Sequence, residues 1–389
     1  MTDELHDLLR LTLTRGLGPV LVGRLIETFG SAAAVAGATQ SGLRRVRGIG
    51  EDKSRQIAQG LADAEGLVDA ELALADSLGV RFVMLGEEEY PRLLASIPQA
   101  PPILYVRGRL DPEADAFPVA IVGSRRCTVY GIEQAERFAS VLAGAGLTVV
   151  SGGARGVDSA AHRGALRARG RTIAVLGCGL ARCYPPDNAE LFDRIADGQG
   201  AVISELPLTT EPDAANFPTR NRIISGLALG TIVVEAGKRS GSLITARIAA
   251  EDHGREVMAL PGRVDSRASE GSLDLIKKGG AALVTDPADV IELLETPARH
   301  CFQGTHESRY VGSNQLFEVK EPDRGEDRGV GSLTAAQRTI LDTLDIPMTM
   351  DELSSRTGLA PESIRAEITM LEIQRRVVRE GSRIAKRRR

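Results

Sequence analysis

The run Asn216-Phe217-Pro218-Thr219-Arg220-Asn221-Arg222-Ile223-Ile224 puts two guanidiniums and an amide at the start of an apolar helix. The free backbone N–H groups and the dipole at such a start favour an anion, and arginine can meet phosphate oxygens two at a time. The helix leads into Thr231 to Glu235, an apolar stretch that reads as a buried strand. Two earlier turns share the pattern. Gly123-Ser124-Arg125 follows the apolar run Val119 to Val122, and Ser151-Gly152-Gly153-Ala154-Arg155-Gly156 follows Leu147 to Val150. A fourth turn, Lys238-Arg239-Ser240-Gly241-Ser242, has the serines and glycine of a phosphate-holding helix start or of an ordinary N-cap. A row of anion sites at strand ends suits a polyphosphate chain better than one small ligand.

Other chemistries fit the spacing less well. Gly123-Ser124-Arg125-Arg126-Cys127 is not the G-x-G-x-x-G of a dinucleotide site, and the second strand ends in Ser151-Gly152-Gly153 where a ribose-binding acid would be needed. No G-x-x-x-x-G-K-[ST] is present for a nucleoside triphosphate. The candidates for hydrolysis, Asp158, His162, Glu205 and Glu235, form no nucleophile-and-base set, and a packing or capping role for His162 outweighs a catalytic one. Glu235 stands where it could orient arginines or cap the helix at Ser240-Gly241-Ser242. Four cysteines, Cys127, Cys178, Cys183 and Cys301, lack metal-ligand spacing and read as idle thiols in a reducing cytoplasm. No metal and no cofactor is expected.

The elements that must hold these turns follow from periodicity. Continuous apolar runs at Val119 to Val122, Leu147 to Val150, Thr172 to Leu176, Ala201 to Ser204, Thr231 to Glu235, Glu256 to Leu260 and Ala282 to Thr285 alternate with helical stretches. That alternation predicts an α/β fold, a doubly wound and mostly parallel Rossmann-like sheet, with ligands at the carboxyl ends of its strands. Leu5 to about Ala75 is helical. Its turns Gly16-Leu17-Gly18-Pro19 and Gly48-Ile49-Gly50-Glu51 read as a repeated helix-hairpin-helix, with Arg44, Arg45, Arg47, Lys53 and Arg55 around the second. Such a region serves nucleic acid or protein contacts equally well. Ile103 to Val106, within a connecting segment from Val80 to Leu110, can add a strand. Residues 332–389 follow a winged-helix plan, with helices at Ala335 to Leu344, Met350 to Arg356 and Pro361 to Gln374 and a hairpin over Arg376 to Ile384. The third helix carries Glu362, Glu367 and Glu372, too acidic a face for a groove reader. The expected domains are therefore 1–78 helical, 79–296 Rossmann-like, 297–331 linker and 332–389 winged helix.

Composition narrows the partner. The 389 residues carry 48 basic against 52 acidic side chains, a net charge of -4, so any nucleic-acid surface must be a local patch. Aromatic residues make up 3% and tryptophan is absent, which leaves phosphate contacts as the main source of affinity. Phe217 is the aromatic placed in a cationic loop, either to stack on a base or to fill the core. No window is apolar enough to span a bilayer, and a soluble, cytoplasmic protein without membrane attachment is expected.

In order along the chain, Val122-Gly123-Ser124-Arg125, Tyr130-Gly131, Ser151 to Asp158, Ala161-His162, Val175 to Gly179, Tyr184-Pro185, Ser204-Glu205, Phe217 to Ile224, Val234-Glu235-Ala236, Ser240 to Ala246 and Ala259 to Gly262 resemble the DprA/Smf family of DNA-processing proteins. The match is strong over residues 80–290. The resemblance implies an extended Rossmann-like domain that binds single-stranded DNA without sequence preference, protects it and delivers it to RecA during natural transformation, with no catalysis. It carries DNA contacts onto Gly123, Ser124, Arg125, Gly153, Arg155, Arg220, Asn221 and Arg222, beside Phe217, Lys238, Ser240 and Ser242 from the reading of the turns. It implies a homodimer formed near the end of the domain, which points to Leu273, Leu275 and Ile276. Tyr184-Pro185 continues as Pro186-Asp187-Asn188, where some relatives have lysine.

The rival is a nucleotide-binding, phosphoribohydrolase-like enzyme, but the Pro-Gly-Gly-x-Gly-Thr run of those enzymes is missing at Val234-Glu235-Ala236-Gly237-Lys238. A regulator reading duplex DNA through residues 332–389 is a third possibility. The leading expectation requires the charged turns to converge on one rim of the sheet.

Overall fold

The computed structural model describes residues 3–303, 335–359, 364, 367, 368, 371, 376–380 and 383–386. They divide into two compact units, 1–295 and 296–389.

The first unit begins with helices α1 (Asp3–Leu13), α2 (Pro19–Phe29), α3 (Ala32–Ala36), α4 (Gln40–Leu43), α5 (Glu51–Ala64) and α6 (Val68–Ser77). Gly16 and Gly48 take φ of +88° and +91°, the left-handed turns that the two hairpins require. Both α2 and α5 start from a glycine N-cap without a side-chain cap; Pro19 has no amide and Leu21 donates to the Gly18 carbonyl at 2.8 Å, so Val20 carries the open amide of α2.

Nine strands follow: β1 (Val80–Met84), β2 (Ile103–Gly108), β3 (Pro118–Val122), β4 (Thr148–Ser151), β5 (Thr172–Val175), β6 (Gly200–Ser204), β7 (Gly230–Val233), β8 (Glu256–Ala259) and β9 (Ala282–Leu283). They form one sheet in the order β1-β2-β6-β5-β4-β3-β7-β8-β9. From β6 to β9 all neighbours are parallel, while β1 and β2 pair antiparallel with each other and β2 pairs antiparallel with β6. The expected parallel strands are all present. Within the connecting segment, β1 is an addition: Arg81 interrupts its short apolar run, so it carries no continuous signal.

Chain order reverses direction across the sheet between β3 and β7. Successive crossovers from β3 run one way to β6, then the chain returns to β7 and continues the other way. That switch point opens a crevice at the carboxyl ends of β3 and β7, where two of the charged turns emerge.

Between and after the strands lie α7 (Arg92–Ala95), α8 (Val129–Gly144), α9 (Val157–Arg167), α10 (Ala189–Arg194), α11 (Asn216–Leu227), α12 (Gly241–Arg247), α13 (Glu270–Lys277) and α14 (Pro287–Gln303). Fully buried strand residues such as Ala120, Val150, Ile173, Ile203 and Val233 join Ile223, Ile224 and Leu227 of α11 in the main core. Helices α8 and α9 lie close because Gly164 has no side chain: a Cβ there would stand 2.4 Å from the carbonyl oxygen of Glu136.

The expected boundary at residue 78 does not separate two cores. Leu9, Leu11, Leu25, Leu43 and Ile57 of the helical layer pack in one cluster with Val80, Ile103, Tyr105 and Leu208 of the sheet side. The helices therefore cover one face of the antiparallel edge. Helix α14 runs through Gln303, past the expected start of the linker at 297, and residues 304–331 of that linker lie outside the described residues.

In the second unit, α15 (Ala335–Thr343), β10 (Met348–Thr349), α16 (Met350–Thr357), β11 (Val377–Glu380) and β12 (Arg383–Lys386) follow in chain order, and the strands form an antiparallel sheet ordered β10-β12-β11. Thr349 and Glu352 close a capping box at the start of α16. Ile340, Leu353, Ile364, Ile368, Leu371 and Ile384 form its core. This is the winged-helix plan. Most of the expected third helix, including Glu362 and Glu372, and the terminal Arg387, Arg388 and Arg389, lie outside the described residues.

Candidate nucleic-acid interface

At the switch point a cavity of about 720 Å³ is lined by the turn after β3 (Gly123, Ser124, Arg125, Arg126), the first turns of α11 (Phe217, Arg220, Asn221) and the turn after β7 (Gly237 to Ser242). Arg267 and Glu270 close the far side. Arg125, Arg126, Lys238, Arg239 and Arg267 are exposed, so five cations border one crevice. The facing carboxylates are fewer. Glu270 lies 3.8 Å from Lys238, and Asp158 is buried.

Local backbone requirements explain the small residues. A Cβ at Gly123 would stand 2.6 Å from Val157 Cγ2, so glycine lets the turn after β3 approach the start of α9. Gly156 has φ +80°, and a Cβ there would lie 2.4 Å from the Ser124 carbonyl oxygen. The first two charged turns are thus packed on each other. Ser240 caps α12, accepting from the Ser242 amide at 3.4 Å, while its hydroxyl lies 2.8 Å from that of Ser242. This N-cap sits on the cavity wall.

Phe217 is half-buried between two neighbours. The Arg125 guanidinium lies 4.8 Å from its ring centroid, and the Tyr184 ring stands 5.6 Å away. The stack holds the long Arg125 side chain over the crevice and leaves its outer face open to a base or a phosphate.

The two arginines of α11 depart from the expected groove contacts, each for its own reason. Arg220 is 4% exposed and points under the strand ends, where Nη1 donates to the carbonyls of Gly152, at 2.7 Å, and Val175. Gly152 makes room for it: a Cβ there would stand 2.8 Å from Arg220 Nη2 and 2.7 Å from Asp158 Oδ2. Burial pushes the Arg220 pKa down to about 10 against the pull of Asp158, and burial likewise raises that of Asp158 despite Arg220. Arg220 keeps an edge on the cavity, and its Nε has no hydrogen-bond partner.

Arg222 turns to the opposite side. Its guanidinium meets both carboxylate oxygens of Glu205 at 2.7 and 2.6 Å, with both side chains buried. The expected phosphate contact at Arg222 is therefore replaced by an internal ion pair that fixes α11 to the end of β6. Asn221 stays on the cavity side.

Glu235 and His162 also resolve. Glu235 lies beyond the end of β7 and accepts from the amide and hydroxyl of Thr128 at 2.7 and 2.9 Å, capping α8 rather than the turn at Ser240. His162 is fully buried, its Nδ1 2.7 Å from the Thr172 hydroxyl, which itself donates to the Val149 carbonyl. Nδ1 therefore carries the proton. Burial lowers its pKa to about 3.

The second loop is more nearly neutral. Arg155 is exposed but paired with Asp187 at 2.7 Å, and Asn188 donates to the Gly153 carbonyl at 2.8 Å, so the Pro186-Asp187-Asn188 turn braces this loop. Gly153, with φ +65°, is buried against Phe192 and presents no side chain to a ligand. At the proposed dimer segment, Leu275 and Ile276 pack against the main core of their own chain, and Leu273 is half-buried. Part of the apolar face of α13 is thus used internally, and part stays partly exposed.

Arg126, Arg239 and Arg267 were not among the expected contacts. Arg126 and Arg239 adjoin expected residues in the same turns, whereas Arg267 reaches the crevice from a loop that carries no local motif. Among the described residues no cluster of His, Cys, Asp or Glu could hold a metal ion, and no helix is long and apolar enough to cross a membrane.

Comparison with known proteins agrees with this architecture. The family model for DNA recombination-mediator protein A matches residues 81–295, and that for the DprA winged helix domain matches 326–382. Protein Smf of Synechocystis is 34% identical over 375 residues, 92% of each chain. DNA processing protein DprA of Streptococcus pneumoniae is 39% identical over 275 residues, 67% of this chain and 95% of that one. The X-ray structure of DprA from Streptococcus pneumoniae aligns with a TM-score of 0.61 at 32% identity, covering 75% of this chain and 98% of that one. With its parallel sheet, its winged helix and sequence similarity along nearly its whole length, the chain belongs to the DprA/Smf family of DNA-processing proteins.

Proposed function

We propose that this protein is a recombination mediator that binds single-stranded DNA by its phosphates, without sequence preference, and passes the strand to RecA during natural transformation in the cytoplasm. The observation that carries the DNA reading is the convergence of Arg125, Arg126, Lys238, Arg239 and Arg267 on the switch-point crevice. An open crevice bordered by cations, with one guanidinium already stacked on a ring, suits a flexible backbone whose bases can turn outward. The family membership supports the same reading. In it the protein acts as a homodimer and transforms nothing chemically: Asp158 is buried beside Arg220, and both oxygens of Glu235 are engaged by Thr128.

The test compares single-stranded and duplex DNA across salt concentration, with and without RecA. Preference for the single strand, a steep salt dependence and faster RecA assembly on coated strands are the expected results. Equal affinity for duplex DNA, or release of base from a panel of nucleoside monophosphates, would overturn it.

A further inference from the structure

A second cavity, of about 450 Å³, lies between the helical layer and the sheet. Its walls are the first hairpin turn with the start of α2 (Gly16, Gly18, Pro19, Val20), the cations Arg24 and Lys53, and the other flank of α11. The beginning of α11 divides it from the switch-point crevice. Phe217, Pro218 and Asn221 face the crevice, Asn216 and Thr219 face the second cavity, and Arg220 lines both.

Three features of this cavity favour an anion. Helix α2 begins without an acidic residue or a side-chain cap in its first turn, so the positive end of its dipole is uncompensated. Lys53 is exposed, while its neighbour Arg55 is engaged with Glu51 and Asp52 at 3.7 Å. Arg220, 4% exposed, lines both cavities and carries a buried Nε without a hydrogen-bond partner. The one carboxylate on the wall, Glu205, is already neutralised by Arg222.

We propose that the two cavities form one track, in which a single strand held in the switch-point crevice crosses the first turn of α11 and sets its next phosphates against the hairpin turn of α2, Arg24 and Lys53. The inference rests on the single-strand reading above and assigns the helical layer to DNA rather than to a protein partner. A helix with its side chains is about 10 Å across, so the crossing is short for an extended strand. Lys53 supplies a point charge, and Val20 sits where an open amide meets the phosphate. Arg24 both lines the cavity and donates to the Arg47 carbonyl at 3.2 Å, which ties the two hairpins together.

The experiment uses the full chain and oligothymidylates of two lengths, about 5 nucleotides to fill the crevice alone and about 15 to reach both cavities, within the range of known site sizes. Lys53→Glu is expected to weaken the longer probe roughly tenfold and lower its salt slope by about 0.7, while leaving the short probe unchanged. Arg125→Ala should weaken both. Lys53→Ala, which cannot add a repulsive charge, should show the same length dependence at smaller amplitude, and an unchanged thermal midpoint verifies folding. Wild-type binding of the longer probe by both Lys53 variants overturns the track but leaves the crevice standing. Wild-type binding of both probes by Arg125→Ala overturns the crevice itself.

Discussion

Within three residues, α11 uses two buried arginines differently: Arg220 holds the strand-end carbonyls of Gly152 and Val175, and Arg222 holds a carboxylate. Arg222 is buried against Glu205 in a two-pronged pair, so Arg222→Ala leaves a carboxylate unpaired in the interior. A loss of about 3–5 kcal/mol in urea unfolding is expected, and the double change Arg222→Met with Glu205→Leu should recover most of it, because an apolar pair needs no partner. If Arg222→Ala instead kept full stability and lost only DNA affinity, Arg222 would be a contact after all. Arg125 and Arg239 stand in the crevice, exposed, and their removal should act on binding alone: for each Ala variant a salt slope smaller by about 0.7, at unchanged stability. The residue types at these positions made the cationic lining of the crevice legible. Their direction was not, because an arginine in a cationic turn reads the same whether a phosphate or Glu205 awaits it. Glu205 lies 17 residues earlier, beyond the end of β6, and no local motif announces the pairing.

At the scale of elements, glycine fixes how closely the turns and helices approach. Substituting Gly164 with alanine brings a Cβ to 2.4 Å from the Glu136 carbonyl and must push α9 off α8, so a destabilisation of about 1–3 kcal/mol is expected in denaturant unfolding. The same change at Gly144, where the nearest atom is the Ala168 Cβ at 3.8 Å, is expected to be tolerated and serves as the control. Equal stability of the two variants would remove the close-approach argument. The central parallel strands β3, β4 and β5 were legible because each is buried on both faces and reads as an apolar run flanked by turns. The edge strand β1 was not. It is half-buried, with a pattern that Arg81 breaks, and it pairs with β2 across a connection that carries no hairpin signal. Likewise sequence spacing alone cannot tell whether Leu273, Leu275 and Ile276 face a partner or their own core, and in the fold Leu275 and Ile276 are partly buried against that core.

For the whole molecule, two properties separate the regions of the chain. The first is acid sensitivity. In the unfolded chain His162 takes up a proton as pH falls through its ordinary value of 6.5, whereas in the folded state burial holds it neutral until about pH 3. Its contribution to stability is therefore complete above pH 6.5 and is lost on acidification, by about 1.4 kcal/mol per pH unit once well below that value. His253, lowered to about 4 by burial, acts in the same direction. Urea unfolding of wild type and His162→Gln at several pH values between 7 and 5 should give lines that converge toward the acid end; parallel lines would refute the assignment. The second is where the chain can be cut. Helix-hairpin-helix spacing marked residues 1–78 as a domain, yet their apolar side chains share a core with Val80, Ile103, Tyr105 and Leu208, and Glu71 accepts from the buried Leu208 amide at 2.7 Å. Removing the helical layer bares that sheet face and leaves the amide without its acceptor, at about 1.5–3 kcal/mol for each large side chain uncovered. A chain starting at residue 79 should accordingly unfold at much lower temperature than the full protein. A chain ending at residue 295 should keep the melting transition of the first unit, since the winged-helix unit has its own core. If thermal denaturation shows both truncations equally stable, the helical layer is an appended module and not a wall of the sheet's own core.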